Sequence, residues 1–264
     1  MSSIYDSIGK SYTETRAADS RVTGRLEELL GLPAGSRILD VGAGTGNYSH
    51  VLAEAGFHVT ALEPSLVMRE QGKQHQWLSW VEGVAEELPF DACSFDAVVM
   101  TLSLHHFSDW KAALKEATRV VGDGPIVILS FDPEYRSGFW LFDSFPLLAE
   151  QAQEWFPRVT DMEGFAREQL GSGIQVFRFP LPADLKDHFA AAGWSRPEIY
   201  LDETYRAGIS HFASGDRDEI GKGVARLADD LESGRWDRTF GELRNASKLD
   251  VGFLFFRIQA KGAP

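Results

Sequence analysis

Three glycines and an aspartate stand close together early in the chain, in the run Asp40-Val41-Gly42-Ala43-Gly44-Thr45-Gly46. The run follows a short apolar segment and precedes residues with helical spacing, so it marks a junction between a strand and a helix. Glycines there allow a tight turn and let a ligand approach the main chain, and the helix start offers free N–H groups. The dinucleotide fingerprint is absent, because Asn47 stands at its third glycine, and no Gly-Lys-Ser/Thr of a P-loop follows. An ordinary turn is the alternative, but three glycines in five residues favour a ligand site.

Two adjacent histidines, His105 and His106, follow the fourth apolar run of the chain. Sites of open α/β sheets lie at the carboxyl ends of the strands, so this position favours a functional role. We expect one of the two to act as a general base or to contact substrate, because histidine titrates near neutral pH. Packing at the head of the next helix is the alternative interpretation. No spacing around this pair predicts a metal site.

Alternating strands and helices must position these residues. Apolar runs predict strands at 37–42, 57–63, 77–81, 95–101 and 125–131. Helical spacing predicts helices at 20–32, 48–55, 66–75 and 111–120. The alternation predicts right-handed βαβ units and therefore a parallel sheet.

The second half of the chain is less regular. Residues 134–175 are rich in aromatic side chains and helical by composition, and later patterns predict a helix at 185–192, a strand at 197–201, a helix at 216–233 and a last strand at 252–260. We therefore predict an α/β fold with a doubly wound, mostly parallel, Rossmann-like sheet, an antiparallel C-terminal strand and a helical cap. One domain spans 1–264, with a core of about 22–133, 176–202 and 249–262 and a cap of about 1–20, 134–175 and 203–248.

Composition excludes several classes of protein. The chain has 264 residues and a net charge of −13, which argues against a nucleic-acid partner. Its one cysteine, Cys93, excludes an intramolecular disulfide and a cysteine-based zinc site. No signal peptide and no membrane span are evident, so we expect a cytoplasmic enzyme or binding protein.

The segment ILDVGAGTGNYS resembles the first motif of the class I S-adenosylmethionine-dependent methyltransferases. Two later segments, VEGVAEELPFDACSFDAVV from Val81 and TLSLHHFSDWKAALKEATRVV from Thr101, resemble the family's following motifs in the same order. The similarity covers about residues 30–132 and is closest to the small-molecule branch that includes the ubiquinone and menaquinone methyltransferases. It implies S-adenosyl-L-methionine as cofactor and methyl transfer to a small-molecule acceptor by in-line displacement.

The resemblance also implies the residues that bind the cofactor, which are Asp40, Gly42, Gly44, Gly46, Glu63, Ala85, Glu86 and Thr101. Glu63 ends the second strand, where the family's acid holds both ribose hydroxyls; a carboxylate suits that role because it accepts two hydrogen bonds from a diol. Relatives often carry Gly-Asp-Ala-Glu where this chain has Gly83-Val84-Ala85-Glu86. Adenine recognition would then rest on the backbone near Ala85 or on Glu86.

Relatives often close their N-terminal segment over the cofactor, so Tyr12 joins His105 and His106 as a predicted catalytic residue. A surface helix with buried aromatic residues is the alternative for that segment, which also contains Tyr5 and Arg16. The alternative function is a non-catalytic or non-methylating cofactor-binding protein of the same fold. An intact glycine loop and an intact Glu63 count against it. The expected assembly is a monomer or homodimer.

Overall fold

The computed structural model describes residues 16–135 and 139–260, so the predictions for Tyr5 and Tyr12 lie outside the described residues. Its strands are β1 (Arg37–Val41), β2 (His58–Leu62), β3 (Leu78–Val81), β4 (Ala97–Thr101), β5 (Pro125–Phe131), β6 (Ile174–Arg178), β7 (Leu181–Pro182), β8 (Lys248–Leu249) and β9 (Phe253–Gln259). Seven of them form one sheet in the order β3-β2-β1-β4-β5-β9-β6. The first five strands pair in parallel, and β9 pairs antiparallel with both β5 and β6. This topology confirms the predicted fold class.

Helices cover the sheet and one of its edges. They are α1 (Ser20–Leu30), α2 (Asn47–Glu54), α3 (Leu66–Glu70), α4 (Trp110–Val121), α5 (Trp140–Ser144), α6 (Pro146–Trp155), α7 (Val159–Gln169), α8 (Glu203–Ala207), α9 (Ser210–Ser214), α10 (Arg217–Glu232) and α11 (Arg235–Phe240). Short 3₁₀ helices occupy Leu104–His106, Pro197–Leu201 and Gly241–Asn245.

Local chemistry sets the ends of these helices. The Asp19 carboxylate caps α1 by accepting from the Arg21 N–H, and Gly31 ends the helix in the left-handed region. Asp109 caps α4 by accepting from the N–H groups of Lys111 and Ala112. These signals are readable in the sequence, and both helices were predicted.

The strands bury side chains on both faces, as expected for a sheet between two helical layers. Alternate residues enter different cores: Ile38 and Val127 belong to the face shared with α1 and α2, whereas Leu39 and Ile128 face α4 and α7. Helix α7, which the sequence analysis places in the cap, therefore packs on the sheet. The rest of the cap lies against the first core through buried aromatic side chains, including Trp140, whose indole N–H donates to the Trp194 carbonyl at 2.8 Å.

Two of the predicted elements are wrong, and the strands β6, β7 and β8 were missed. Residues 185–192 form a bend and the start of a turn rather than a helix, and Pro197–Leu201 is a 3₁₀ helix rather than a strand. The place beside β9 belongs instead to Ile174–Arg178. Short apolar runs do not distinguish strand from helix, and the pairing partner decides between them. Helix α3 is also shorter than predicted, since it ends at Glu70.

Candidate active site

The loop after β1 turns through three glycines in the left-handed region. Gly42, Gly44 and Gly46 have φ of +73°, +59° and +69°. The N–H groups of Gly42 and Ala43 donate to the Leu62 carbonyl at 2.9 and 3.1 Å. The loop is therefore anchored to the carboxyl end of β2, and its backbone conformation is one that glycine adopts without a steric penalty.

Gly42 also touches the loop after β4. A Cβ at this position would lie 2.6 Å from Cβ of Ser103 and 3.2 Å from the Phe107 ring. The buried Ser103 hydroxyl donates to the Val41 carbonyl at 2.7 Å. The carboxyl ends of β1, β2 and β4 therefore meet around this glycine.

Glu63 follows β2 and lies directly beside the glycine loop. Its side chain is buried, with Oε2 accepting from the Gly44 N–H and Oε1 from the Ser65 N–H, both at 2.9 Å. Burial raises the pKa of Glu63, while these two hydrogen bonds and the nearby Arg69 oppose the rise. Each carboxylate oxygen retains a further lone pair, so the group can still accept two hydrogen bonds from a diol.

Asp40 is buried beneath the loop, next to Glu63. Its Oδ2 accepts from the Ser49 hydroxyl at 2.5 Å, and its Oδ1 has no hydrogen-bond partner within the described residues. Burial raises the pKa of Asp40 to about 6; the Ser49 hydrogen bond opposes the rise, and the Glu63 charge adds to it. Such a buried, half-satisfied carboxyl group beside a second one is typical of a ligand site.

The other residues predicted to bind the cofactor are placed differently. Thr101 ends β4 with its hydroxyl buried and unpaired among the described residues. Ala85 is buried. Glu86 turns toward the start of α4, where its Oε1 accepts from the Ser108 N–H at 2.6 Å, the Ser108 hydroxyl at 2.8 Å and the Asp109 N–H at 3.2 Å. These hydrogen bonds fix the segment that precedes α4. A cofactor contact of Glu86 stays a prediction.

The two histidines lie in the short 3₁₀ helix directly after β4. Their ring centroids are 3.8 Å apart, and the His105 ring stacks on Phe156 of the cap at 4.4 Å. Burial, His211 and Arg16 lower the pKa of His106 to about 3. The pKa of His105 is also well below its usual value, chiefly because of burial. Both rings are therefore neutral at pH 7.

A third histidine, His211, joins this pair from helix α9. Its ring lies 5.8 Å from that of His105 and 4.6 Å from that of Trp155. We define His105, His106, His211, Trp155 and Phe156 as the histidine chamber. His211 was not predicted as a site residue, and its one local signal is its place between Ile209 and Phe212.

The neutral state of His211 makes a pH-dependent stability difference measurable. Burial lowers its pKa to about 4. Below about pH 6.5 the unfolded chain takes up a proton that the folded chain excludes, so the free energy of unfolding falls as pH drops toward 4. Between pH 7 and pH 5 this single group accounts for about 2 kcal/mol. Urea unfolding should therefore show that the free energy of unfolding of His211→Phe falls by about 2 kcal/mol less than that of the wild type between pH 7 and pH 5.

The comparison between the two proteins isolates His211, because Asp40 is present in both and its contribution cancels in the difference. That contribution has the opposite sign to that of His211. A carboxyl group whose pKa is raised by folding stabilises the folded chain as pH falls. The difference in free energy of unfolding between the two proteins should therefore change by about 2 kcal/mol between pH 7 and pH 5. Parallel curves would show that the His211 ring is protonated in the folded chain at pH 5.

An ion pair joins the start of the described chain to the site. The Arg16 guanidinium donates through Nε and Nη2 to the buried Asp187 carboxylate, which also accepts from the Tyr48 hydroxyl at 2.8 Å. The Asn47 side chain donates to the Arg16 carbonyl at 3.2 Å. Asn47 and Tyr48 open helix α2 directly after the glycine loop, so the segment at Arg16 lies against the loop.

The described residues include neither a candidate metal site nor a candidate membrane span. Residues 16–135 and 139–260 contain no group of three histidine, cysteine or carboxylate residues arranged to hold a metal ion. In the same ranges, none of the helices has the length and hydrophobicity needed to traverse a lipid bilayer.

The topology, the glycine loop and the buried carboxylates define a Rossmann-like α/β protein with a candidate site at the carboxyl edge of its sheet. A family model described as a methyltransferase domain matches residues 39–129. A demethylmenaquinone methyltransferase of Clavibacter sepedonicus is 30% identical over 212 residues, which are 75% of this chain and 83% of the relative.

Solved structures agree with this assignment. A protein of Anabaena variabilis, described as a candidate methyltransferase from an antibiotic biosynthesis pathway, is 42% identical, covers 92% of this chain and 98% of its own, and has a TM-score of 0.88. A phosphoethanolamine N-methyltransferase of Haemonchus contortus, solved with S-adenosyl-L-methionine, is 18% identical with a TM-score of 0.59, over 94% of this chain and 54% of its own, and shows the shared fold. The chain belongs to the class I S-adenosylmethionine-dependent methyltransferases.

Proposed function

We propose that this enzyme transfers the methyl group of S-adenosyl-L-methionine to a small-molecule acceptor held beneath the cap. The observation that carries the proposal is the Glu63 carboxylate, which two backbone N–H groups hold against the glycine loop. Glu63 would bind the ribose diol, while Gly42, Gly44 and Gly46 give the loop the positive φ angles that shape its backbone around the cofactor. Asp40 and Thr101 would supply further polar contacts, since each has a buried oxygen without a partner in the described chain.

The cofactor supplies a methyl group already activated on a sulfonium, so the protein's tasks are alignment and exclusion of water. The histidine chamber suits both tasks, because its rings pack on one another after β4 and all five are at least half-buried. At neutral pH each histidine offers one acceptor nitrogen, and Nδ1 of His105 has no partner among the described residues. We propose that His105 or His106 accepts a hydrogen bond from the nucleophile of the acceptor and orients it. Their low pKa values favour this orienting role over storage of a proton.

Calorimetric titration tests the cofactor class directly. We expect S-adenosyl-L-methionine to bind with micromolar affinity and NADH to leave the heat signal unchanged, because Asn47 replaces the third glycine of the dinucleotide fingerprint. A screen of acceptors for release of S-adenosylhomocysteine would then identify the substrate. Binding of NADH in place of the methyl donor would overturn the proposal. Binding of the donor without turnover of any acceptor would favour the non-methylating alternative.

A further inference from the structure

Arg196 is a half-buried cation with no carboxylate partner among the described residues. It precedes the 3₁₀ helix Pro197–Leu201, and its Nε and Nη2 atoms are closed off from solvent without a hydrogen-bond partner. No carboxylate in residues 16–135 and 139–260 forms an ion pair with it. Nearby Arg206 shows the usual solution, because its Nη1 donates to the Tyr200 carbonyl at 2.6 Å. An unpaired buried charge destabilises a fold, and unpaired donors of this kind are typical of binding sites.

The surroundings of Arg196 contain the polar rings of His188, Tyr200 and Tyr205. The Tyr205 ring lies 5.3 Å from that of His188 and 5.4 Å from that of Tyr200. Burial raises the pKa of Tyr205, and the positive charge of Arg196 counteracts the rise. Burial and Arg196 together lower the pKa of His188. None of these rings carries a negative charge at pH 7, so they do not neutralise Arg196.

This region is continuous with the candidate active site. His188 follows Asp187 in the chain, and the Asp187 carboxylate accepts from Arg16 and from the Tyr48 hydroxyl beside the glycine loop. The charge of Arg16 is therefore matched by Asp187, and its carbonyl is bound to the start of α2. Arg196, in contrast, has no carboxylate partner in the described ranges. The protein as a whole is acidic, with a net charge of −13. An unpaired positive charge inside it attracts an anion and can therefore select an acidic ligand.

We propose that Arg196 binds an oxyanion, a carboxylate or phosphate group, on the methyl acceptor, so that the substrate of this enzyme is an acidic small molecule. This inference rests on the proposed function, since it assigns the acceptor that the cap covers. The guanidinium fork matches the two oxygens of either group, and its two buried donors would both be satisfied.

Thermal unfolding with model anions tests the proposal. The probes are benzoate, inorganic phosphate and, as a neutral isostere of benzoate, benzamide, each added to the enzyme with and without S-adenosylhomocysteine. We expect benzoate or phosphate to raise the Tm of the wild type and benzamide to leave it unchanged. Benzoate alone would assign a carboxylate, and phosphate alone a phosphate ester. A wild type that responds to neither anion contradicts the proposal.

Two matched variants decide whether Arg196 is responsible. Arg196→Met removes the unpaired charge, so without ligand it should raise Tm by about 2–4 °C while abolishing the anion response. Arg206→Met removes the same charge from a hydrogen-bonded position, so it should lower Tm and retain the anion response. An Arg196→Met protein that still responds to the anion, or melts below the wild type, overturns the assignment. Binding of S-adenosylhomocysteine to both variants, measured separately by calorimetry, tests the proposed function independently of the anion site.

Discussion

Replacing Glu63 with glutamine is expected to weaken binding of S-adenosyl-L-methionine about 100-fold. In the structure each carboxylate oxygen accepts one backbone N–H, from Gly44 and from Ser65, and keeps one lone pair for a ribose hydroxyl. Glutamine offers one acceptor oxygen, and its amide N–H₂ would face one of the two backbone donors. Losing one charged hydrogen bond to the ribose and leaving one backbone N–H unpaired, at about 1.5 kcal/mol each, accounts for the expected factor. Calorimetry with S-adenosylhomocysteine, which carries the same ribose, measures it without turnover.

Glu82→Gln is the matched control for this substitution. Glu82 is exposed and accepts from Nη2 of Arg69 at 2.6 Å, while Nη1 of the same arginine donates to the Glu63 carbonyl at 2.6 Å. The control therefore removes one negative charge from the same network without touching the glycine loop. We expect its affinity to stay within about threefold of the wild type. Equal affinities of the Glu63→Gln and Glu82→Gln proteins would refute the role of Glu63 as the ribose ligand.

The second large effect is expected for Gly42→Ala, which should lower the free energy of unfolding by about 3 kcal/mol. Part of the loss is the left-handed backbone, since φ is +73° and an L-residue in this region costs roughly 1–2 kcal/mol. The remainder is overpacking, because the new Cβ would lie 2.6 Å from Cβ of Ser103. Relief of this overlap moves the loop after β4 and with it His105. Urea unfolding and cofactor calorimetry should both report the change.

Gly44→Ala separates the two contributions. Its φ is +59°, and the nearest atom to an added Cβ is the flexible terminal methyl of Met68 at 3.5 Å. It should therefore show the backbone cost alone, about 1 kcal/mol. A Gly44→Ala protein as unstable as Gly42→Ala would mean that the contact with Ser103 contributes nothing.

The sequence by itself determined the sheet that carries the site and the loop at its centre. The strands β1 to β5 and the helices α1, α2 and α4 were predicted with ends that differ by a few residues. These elements depend on local signals: apolar periodicity, the capping carboxylates of Asp19 and Asp109, and glycines where the chain must turn with positive φ. The order of the motifs also placed Asp40 and Glu63 at neighbouring strand ends, where the structure brings them together.

Only the tertiary structure decided what lies above that edge. His211 reaches His105 from a helix more than a hundred residues later in the chain, and the Tyr48 hydroxyl meets Asp187 across 139 positions. Glu86, a predicted cofactor ligand, accepts from the N–H groups of Ser108 and Asp109 at the start of α4. The edge strand Ile174–Arg178 likewise depends on its partner β9. Periodicity and capping depend on neighbours along the chain, whereas these contacts form between segments that only folding brings together, so no local pattern specifies them.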